Sequence, residues 1–219
     1  MSFTSFTNAF QLEMRKQLPG IEAQKSMAPY NRPAPKDLDK LDIKPKNSAV
    51  LILFYPIDNV PYFCLTQRLE YKGAHSGQVC LPGGGQEKRD LDLQHTALRE
   101  AQEEIGIDPN KITIHGELTK VYVPPSNFLI SPYVGSCAEK PDFIPEESEV
   151  KEIIEVRADL ILDETIVKRK KIEVGQSRIR IDVPYFDLSN KIVWGATAVI
   201  LAEVICSNPV GTTLLPNPN

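Results

Sequence analysis

The order of apolar and polar positions predicts several short strands separated by a few helices. Two apolar runs, at residues 49–55 and 62–66, flank Asp58-Asn59, a pattern typical of a hairpin. Further strands are expected at residues 79–81, 112–122, 129–137 and 153–156, and a second hairpin at residues 166–174 and 177–184, across Gly175-Gln176. Strands and helices that lie in separate stretches of the chain indicate the α+β class.

Three longer helices are expected as well. They cover residues 4–18, about 91–105 and 194–206, and a short helix is expected at residues 158–162. Asp90 or Asp92 is the predicted N-cap of the middle helix. The residues expected to pack inward are Phe10, Leu12, Met14 and Leu18 in the first helix and Leu98, Ala101 and Ile105 in the second.

The prolines suggest three parts of the chain. Residues 1–47 form an N-terminal helix and a Pro-rich linker, of which residues 21–46 are expected to wrap the surface in extended form. Residues 48–207 form one domain, long enough for a sizeable core. Residues 208–219 contain three prolines and are expected to be an irregular tail.

Composition excludes some functions. The chain is 42% hydrophobic and 25% charged, with a net charge of −4, which argues against nonspecific binding to nucleic acid. It has neither an apolar run typical of a membrane span nor the pattern of a secretion signal. Cys64, Cys80, Cys137 and Cys206 lack the spacing of zinc ligands, so we expect buried free thiols and a cytoplasmic location.

Acidic residues cluster in Arg99-Glu100-Ala101-Gln102-Glu103-Glu104-Ile105-Gly106-Ile107. On a helix, Glu100, Glu103 and Glu104 fall within an arc of about 100°. Their mutual repulsion and the position of two of them in the last turn are both unfavourable, so a cation is expected to compensate. Clustered carboxylates suit Mg²⁺, which usually also holds substrate phosphates. A solvated acidic face is the plainer interpretation of this helix taken alone.

A run of three glycines, Gly83 to Gly85, precedes this helix and allows a ligand to approach the backbone closely. With it, the chain resembles the Nudix hydrolase signature: Gly, five residues, Glu, seven residues, then Arg-Glu-apolar-any-Glu-Glu-any-Gly-apolar. The second half matches at every fixed position from Arg99 to Ile107. The first half departs, because five residues after Gly84 lead to Asp90 and eight more precede Arg99.

That departure resembles the coenzyme A pyrophosphatase-like branch of the family, which has a longer loop with Asp and a second motif upstream. The motif here reads Leu65-Thr66-Gln67-Arg68, followed by His75-Ser76-Gly77-Gln78-Val79-Cys80-Leu81-Pro82-Gly83-Gly84. Leu81 replaces a Phe, and Gly73 stands where the branch often has Arg. The resemblance extends over about residues 49–205.

The resemblance implies an α/β/α sandwich with a mixed β-sheet, and it implies Mg²⁺ or Mn²⁺ as cofactor. The implied metal ligands are Glu100, Glu103, Glu104 and the backbone carbonyl of Gly83. One of these glutamates, or Glu149, would take the proton from water. Arg99 would orient Glu103, with Asp90 as its second partner. The residues expected to bind substrate are Arg68, His75, Gln78, Asn127 and Phe128, whereas Trp194 is expected to be a core anchor.

The first functional hypothesis is therefore hydrolysis of coenzyme A or acyl-CoA into 3′,5′-ADP and 4′-phosphopantetheine. The second keeps the enzyme class but assigns another nucleoside diphosphate derivative, such as ADP-ribose or NADH, and Gly73 is its best support. The third is a nucleotide-binding domain without turnover. Each takes a small-molecule nucleotide as partner, with no nucleic acid and no membrane. The oligomeric state stays open, and a homodimer is among the alternatives.

Overall fold

The computed structural model describes residues 1–71, 75–174 and 179–207 of the chain. The helices in these ranges are α1 (Phe3–Glu13), α2 (Gly20–Lys25), α3 (Leu93–Ile105) and α4 (Gly195–Cys206). The main sheet contains β1 (Lys46–Ile57), β2 (Val60–Arg68), β3 (Val79–Cys80), β4 (Gly83–Gly85), β5 (Thr113–Glu117), β6 (Val121–Val123), β7 (Phe128–Ser136) and β8 (Val150–Arg157). A second, antiparallel sheet contains β9 (Val167–Val174), β10 (Ile179–Leu188) and β11 (Lys191–Trp194).

Strand β1 is the centre of the main sheet. It runs parallel to β7 on one side. On its other side the first half of β1 pairs with β4 and the second half with β2, both antiparallel. Strand β2 also pairs with β3 and β8, and β7 pairs with β5 and β6. The predicted mixed sheet and the α+β class are thus confirmed.

The side chains of β1 alternate between two hydrophobic clusters, as the period of a strand requires. Ile52 and Phe54 pack into a cluster with residues of α1 and α4. Leu51, Leu53 and Tyr55 face the other way and pack with residues of α3. The sheet is therefore covered by α3 on one face and by α1 and α4 on the opposite face, which is the expected α/β/α sandwich.

Helix α1 is an integral part of the core. Phe3, Phe6 and Phe10 are buried, and the ring of Phe6 meets that of Phe54 edge-on at 4.9 Å between centroids. The helix ends at Glu13, earlier than the predicted residue 18. Leu12 was expected to pack inward but is 59% exposed, because two residues after Phe10 place it on the opposite side of the helix.

The predicted extended linker is wrong in part, because residues 21–46 contain helical turns. Most of α2 lies in this range, and two 3₁₀ turns follow at Pro35–Asp37 and Asp39–Leu41. Helix α2 is held to α4 by Glu203, which is fully buried. The Gln24 amide donates to the Glu203 carboxylate at 2.8 Å and the Thr119 N–H donates at 3.2 Å. Burial raises the pKa of Glu203. Tertiary contacts, not local periodicity, fix this short helix.

Other boundaries differ from the sequence prediction. The strand expected over residues 112–122 is divided into β5 and β6, and a bulge interrupts the pairing of β5 with β7 between Ile114 and Gly116. The short helix expected at residues 158–162 is a 3₁₀ turn at Leu160–Leu162. The predicted turn at Gly175-Gln176, the position of Gly73 and the tail at residues 208–219 lie outside the described residues. Among the described helices, none is long and apolar enough to cross a membrane.

Candidate active site

Helix α3 is fixed at both ends by local sequence. Asp92 is its N-cap and accepts the His95 N–H at 2.7 Å, so the helix begins two residues later than predicted. Gly106 ends it in the left-handed region, with φ of 72°. An added Cβ at Gly106 would lie 2.8 Å from the Ile144 side chain, so glycine is required there. The register of the acidic residues on α3 is set by these two ends.

Arg99 is the centre of an ion-pair network, with a side chain only 8% exposed. Its Nε donates to Asp90 at 2.8 Å, and its Nη1 donates to Glu103 at 2.8 Å and lies 2.9 Å from Glu100. Its Nη2 also donates to the backbone carbonyl of Gly85 at 3.0 Å. The Arg99 guanidinium holds the pKa of the buried Asp90 carboxyl well below its usual range. The predicted contacts of Arg99 with Glu103 and Asp90 are both present.

The three glycines form the short strand β4. Gly83 pairs with Val50 of β1, and a Cβ built on Gly83 would lie 2.6 Å from the Val50 Cα. A Cβ on Gly84 would overlap the carboxylate of Glu100. A side chain on Gly83 would therefore collide with β1, and a side chain on Gly84 would collide with α3. This lets the acidic side of α3 lie directly against the strand.

Glu104 connects α3 to β4. Its side chain is 4% exposed, and its Oε2 accepts the Gly83 N–H at 3.1 Å. Burial raises the pKa of Glu104 to about 7; the Gly83 hydrogen bond and Arg68 oppose this effect, while the charges of Glu100 and Glu149 add to it. The charge of Glu149 thus acts on both Glu100 and Glu104. Glu149 lies in an exposed loop, and its backbone carbonyl accepts the Leu69 N–H at 3.1 Å.

Sequence reasoning missed Arg89. Its guanidinium lies 2.8 Å from Glu87 and donates to Glu103 at 2.8 Å, and its side chain is 61% exposed. Arg89 is fourteen residues before Glu103, so no helical spacing relates the two residues. The pairing arises only because the loop before α3 folds back over the helix, which the sequence pattern does not reveal.

The predicted metal ligands lie along one side of α3, but they contact groups of the chain itself. Within the described residues, no set of three acidic, His or Cys side chains is arranged ready to bind a metal ion. Glu100 and Glu103 face Arg99, and Glu104 faces Gly83. The donor set, hard oxygen atoms in a region where carboxylates outnumber guanidinium groups, nevertheless fits Mg²⁺ or Mn²⁺.

A cavity of about 470 Å³ opens on the α4 face of the sheet, on the other side of β4 from the acidic helix. Its polar lining includes the side chains of Arg68, His75 and Gln78 and the backbone of β4. The Arg68 Nη1 lies 3.6 Å from Glu104, and its buried Nε has no hydrogen-bond partner within the described part of the chain. His75 Nδ1 and Gln78 Oε1 are 3.1 Å apart. Arg68 therefore offers hydrogen-bond donors to the cavity beside the acidic cluster.

The cavity also has a large apolar lining. Its apolar residues are Val50, Leu81, Val123, Phe128, Ile130, Trp194, Ala196 and Ile200. Trp194, expected to be a core anchor, is only partly buried and lines this cavity. Residues 194–198 also resemble a later block of the coenzyme A branch, but no residue of α4 was among those predicted to bind substrate.

Of the residues expected to bind substrate, Arg68, His75, Gln78 and Phe128 all line the cavity, and Asn127 does not. The exposed Asn127 has φ of 53° and closes the turn between β6 and β7. Its amide donates to the backbone carbonyl of Lys44 at 3.1 Å, and its side-chain oxygen accepts the Tyr122 hydroxyl at 3.0 Å. These contacts direct the Asn127 side chain into the turn, away from the cavity.

Comparison with known proteins agrees with this geometry. The family model described as NUDIX domain matches residues 45–174. The chain is 36% identical over 165 residues to the uncharacterized Nudix hydrolase NudL of Pectobacterium atrosepticum, covering 73% of this chain and 81% of that protein. It is 34% identical to the mitochondrial Nudix hydrolase 15 of Arabidopsis thaliana, covering 81% of this chain and 62% of that protein.

A third relative is the peroxisomal coenzyme A diphosphatase of Mus musculus, 33% identical over 151 residues, with 66% of this chain and 64% of that protein covered. Nudix hydrolases generally use divalent metal ions and act on nucleoside diphosphate derivatives. The family match spans more than half of the chain and includes β4 and α3. The chain therefore belongs to the Nudix family of hydrolases.

Proposed function

We propose that this enzyme hydrolyses the diphosphate bond of coenzyme A or acyl-CoA, giving 3′,5′-ADP and 4′-phosphopantetheine or its acyl derivative. The observation that carries the proposal is the hydrogen bond from the Gly83 N–H to Glu104, with Arg68 3.6 Å from the same carboxylate. This contact joins the acidic helix to the glycine strand, which lines the cavity. The motif at residues 65–84 and the mouse coenzyme A diphosphatase support this choice of substrate.

The acidic helix would hold Mg²⁺ or Mn²⁺ through Glu100, Glu103, Glu104 and the carbonyl of Gly83. Bound ions neutralise the charge of a diphosphate and activate water in sites of this kind. The chain's own residues prepare the site: Arg99 restrains Glu100 and Glu103 by direct contacts. Because these carboxylates are held on one side of α3, little side-chain freedom is lost when ligands bind.

The reaction itself is a displacement at phosphorus. The oxygen of water forms a bond to one phosphorus atom while the bond from that atom to the bridging oxygen breaks. The bridging oxygen leaves with the electron pair, as part of the second phosphate product. A carboxylate takes a proton from the attacking water, and Glu100, Glu103, Glu104 and Glu149 are the candidates for this base.

The polar side chains that line the cavity, Arg68, His75 and Gln78, would bind the diphosphate. Arg68 has a buried Nε without a partner among the described residues, so it can donate to a phosphate oxygen. His75 and Gln78 contact each other and lie in the same wall. Phe128 lines the cavity 3.8 Å from the Cβ position of Gly85, so it limits the space next to the glycine strand.

The first test is mass spectrometry of the products formed from coenzyme A and acetyl-CoA with Mg²⁺. ADP-ribose, NADH and dinucleoside polyphosphates are assayed in parallel. We expect 3′,5′-ADP and a phosphopantetheine product at the highest kcat/KM of the set. Fast cleavage of another member without cleavage of either CoA compound rejects the proposed substrate, and tight nucleotide binding without any product rejects the catalytic role.

A second test addresses the acidic residues. Glu103→Gln and Glu104→Gln keep the size of the side chain but remove its charge, so we expect kcat to fall by several orders of magnitude. Glu147→Gln is the matched control, because Glu147 is exposed in the loop near Glu149, and the same change there should leave kcat unchanged. Isothermal titration with Mn²⁺ should show weaker binding by the first two variants only. Unchanged rates and unchanged binding would remove the metal assignment.

A further inference from the structure

We propose that Lys191 of β11 is a positioning residue for Arg68: it holds the end of β2 from the side of the second sheet and so fixes the direction of the Arg68 guanidinium. This inference rests on the proposed function, because it takes Arg68 as a group that binds the diphosphate. It does not depend on which nucleotide carries that diphosphate. Lys191 follows residue 174, at which the family match ends, so this role comes from outside the shared segment.

The pairing of β2 with β8 changes register immediately before Arg68. Gln67 lies opposite Glu152, whereas Arg68 lies opposite Val150, so Lys151 is the extra residue of a bulge in β8. Bulges redirect the side chains around them and are common beside active sites. The direction of Arg68 therefore depends on keeping this bulge at its present position.

Lys191 contacts both side chains of the last pair before the bulge. Its Nζ donates to the side-chain oxygen of Gln67 at 2.9 Å and to the carboxylate of Glu152 at 2.6 Å. A slip of either strand by one residue would turn one of these side chains to the other face of the sheet, away from Lys191. One ammonium group on β11 therefore restrains β2 and β8 together at the position of the bulge.

The end of β2 also fixes the loop that lines the cavity beside Arg68. The Arg68 N–H donates to the backbone carbonyl of Gln78 at 3.0 Å, and the Gln67 amide donates to the carbonyl of Gly77 at 3.5 Å. The contact of the Arg68 guanidinium with Glu104 is long, at 3.6 Å, so it does not by itself fix the guanidinium. The backbone that Lys191 restrains is therefore part of what directs Arg68 toward a phosphate.

A purely stabilising role for Lys191 is the main alternative. The Lys191 side chain is 28% exposed and that of Glu152 is 48% exposed, and ion pairs this accessible contribute little to stability. Lys168 makes an ion pair of the same length, 2.6 Å to Asp187, within the second sheet. Lys168 therefore offers a control with the same charge and the same kind of contact, away from the bulge.

The test is a double-mutant cycle on Arg68 and Lys191. Lys191→Met removes the ammonium group, Arg68→Met removes the proposed phosphate contact, and a third variant carries both changes. Lys168→Met is the matched control, alone and together with Arg68→Met. Steady-state hydrolysis of coenzyme A gives KM and kcat, thermal unfolding checks each fold, and isothermal titration measures Mn²⁺ binding.

We expect Lys191→Met to raise KM about fivefold or more and to change kcat less than about twofold, because a contact made equally in the ground and transition states affects KM alone. In the background of Arg68→Met, adding Lys191→Met should have no further effect, since Lys191 acts through Arg68. Lys191→Met should bind Mn²⁺ as the unmodified enzyme does, and Lys168→Met should leave KM unchanged.

Additive losses in the double variant, an equal rise of KM in Lys168→Met, or an unchanged KM in Lys191→Met overturns the inference. If Lys191→Met does not fold, Glu152→Ala removes the shorter contact of Lys191 and takes its place in the cycle. Absence of coenzyme A cleavage by the unmodified enzyme is a different result, and it rejects the proposed function. The cycle is then measured with another diphosphate of the set, as KM if it is cleaved or as Kd if it is only bound.

Discussion

Helices α3 and α4 pack on opposite faces of the same sheet and are stabilised in different ways. Nine of the twelve residues of α4 are buried; seven of these are apolar, and the other two are Thr197 and Glu203. Helix α3 buries Arg99 and Glu104 together with Ala97, Ala101 and Ile105. Apolar packing therefore contributes most of the buried contacts of α4, whereas ion pairs contribute to those of α3. The comparison indicates that the two faces of one sheet are stabilised by different interactions.

The largest expected effect separates two neighbouring glycines of β4, of which Gly84 faces α3 and Gly85 faces Phe128. Gly84→Ala places a methyl group where the Glu100 carboxylate lies, and that flexible carboxylate must move out of position. We expect kcat to fall about a hundredfold, since displacement of a reacting or metal-binding group by about an ångström has effects of this size. Stability should change little, because only the end of a flexible side chain is displaced.

Gly85→Ala is the matched control for Gly84→Ala. A Cβ on Gly85 meets Phe128 at 3.8 Å, which is an ordinary contact. We expect a much smaller loss of kcat, with the difference between the two variants visible in steady-state assays. Equal losses in both variants would show that β4 tolerates no side chain at all, and the specific role of Glu100 would be rejected.

The next effect concerns the stability of α3. Arg99→Met removes the guanidinium but keeps most of the side-chain volume, and it leaves the fully buried Asp90 side chain without its cation. Removing one partner of a buried ion pair typically destabilises a protein by about 3–5 kcal/mol. Urea unfolding at pH 7 measures the change. A loss below about 1 kcal/mol would mean that the network of Arg99 does not stabilise α3.

A packing change on α4 should have a somewhat smaller effect. Leu201 is fully buried, and Leu201→Ala creates a cavity that is expected to lower the free energy of unfolding by about 2–4 kcal/mol. Because no charge is involved, the loss should be the same at low and high salt. A strong salt dependence would contradict the proposed difference between the two helices.

The smallest expected effect is a change in how stability depends on pH in acid, measured apart from the loss of stability at pH 7 that follows from breaking the same ion pair. The pKa of Asp90 is lowered chiefly by Arg99, and His95 Nδ1 lies 3.1 Å from the same carboxylate. A lowered pKa in the folded state stabilises the protein above the unfolded value of about 3.9, and this stabilisation is lost as the pH falls below it. We therefore expect Asp90→Asn to reduce the acid sensitivity of unfolding below pH 4. An unchanged pH profile would contradict this.

Sequence reasoning was most successful where chemistry and periodicity coincide. The acidic helix was placed within two residues of its true start, because Asp92 and Gly106 are strong local end signals. The contacts of Arg99 with Glu103 and Asp90 also followed from the spacing and from the family signature. The ligand and catalytic roles of these residues stay predictions that the experiments above address.

Elements without a local signal were predicted less well. Three glycines carry no alternating pattern, so the strand character of β4 depends on its pairing with β1, which is remote in sequence. Helix α2 is six residues long, and its buried Gln24 donates to Glu203 in α4 and to the Thr119 carbonyl, both remote in sequence. Likewise, nothing in the apolar run of α4 indicates which of its faces lines a cavity. These features depend on contacts between distant parts of the chain.

The buried link between Gln24 and Glu203 has a consequence for how this enzyme should be handled. A shortened version cut at residues 45 and 174, the limits of the family match, would lose the amide donor, the carboxylate and three core phenylalanines together. The hydrophobic face of the main sheet that α1 and α4 cover would then be exposed to water. The smallest autonomous unit is accordingly larger than the segment by which the family is recognised, and both flanks belong to it.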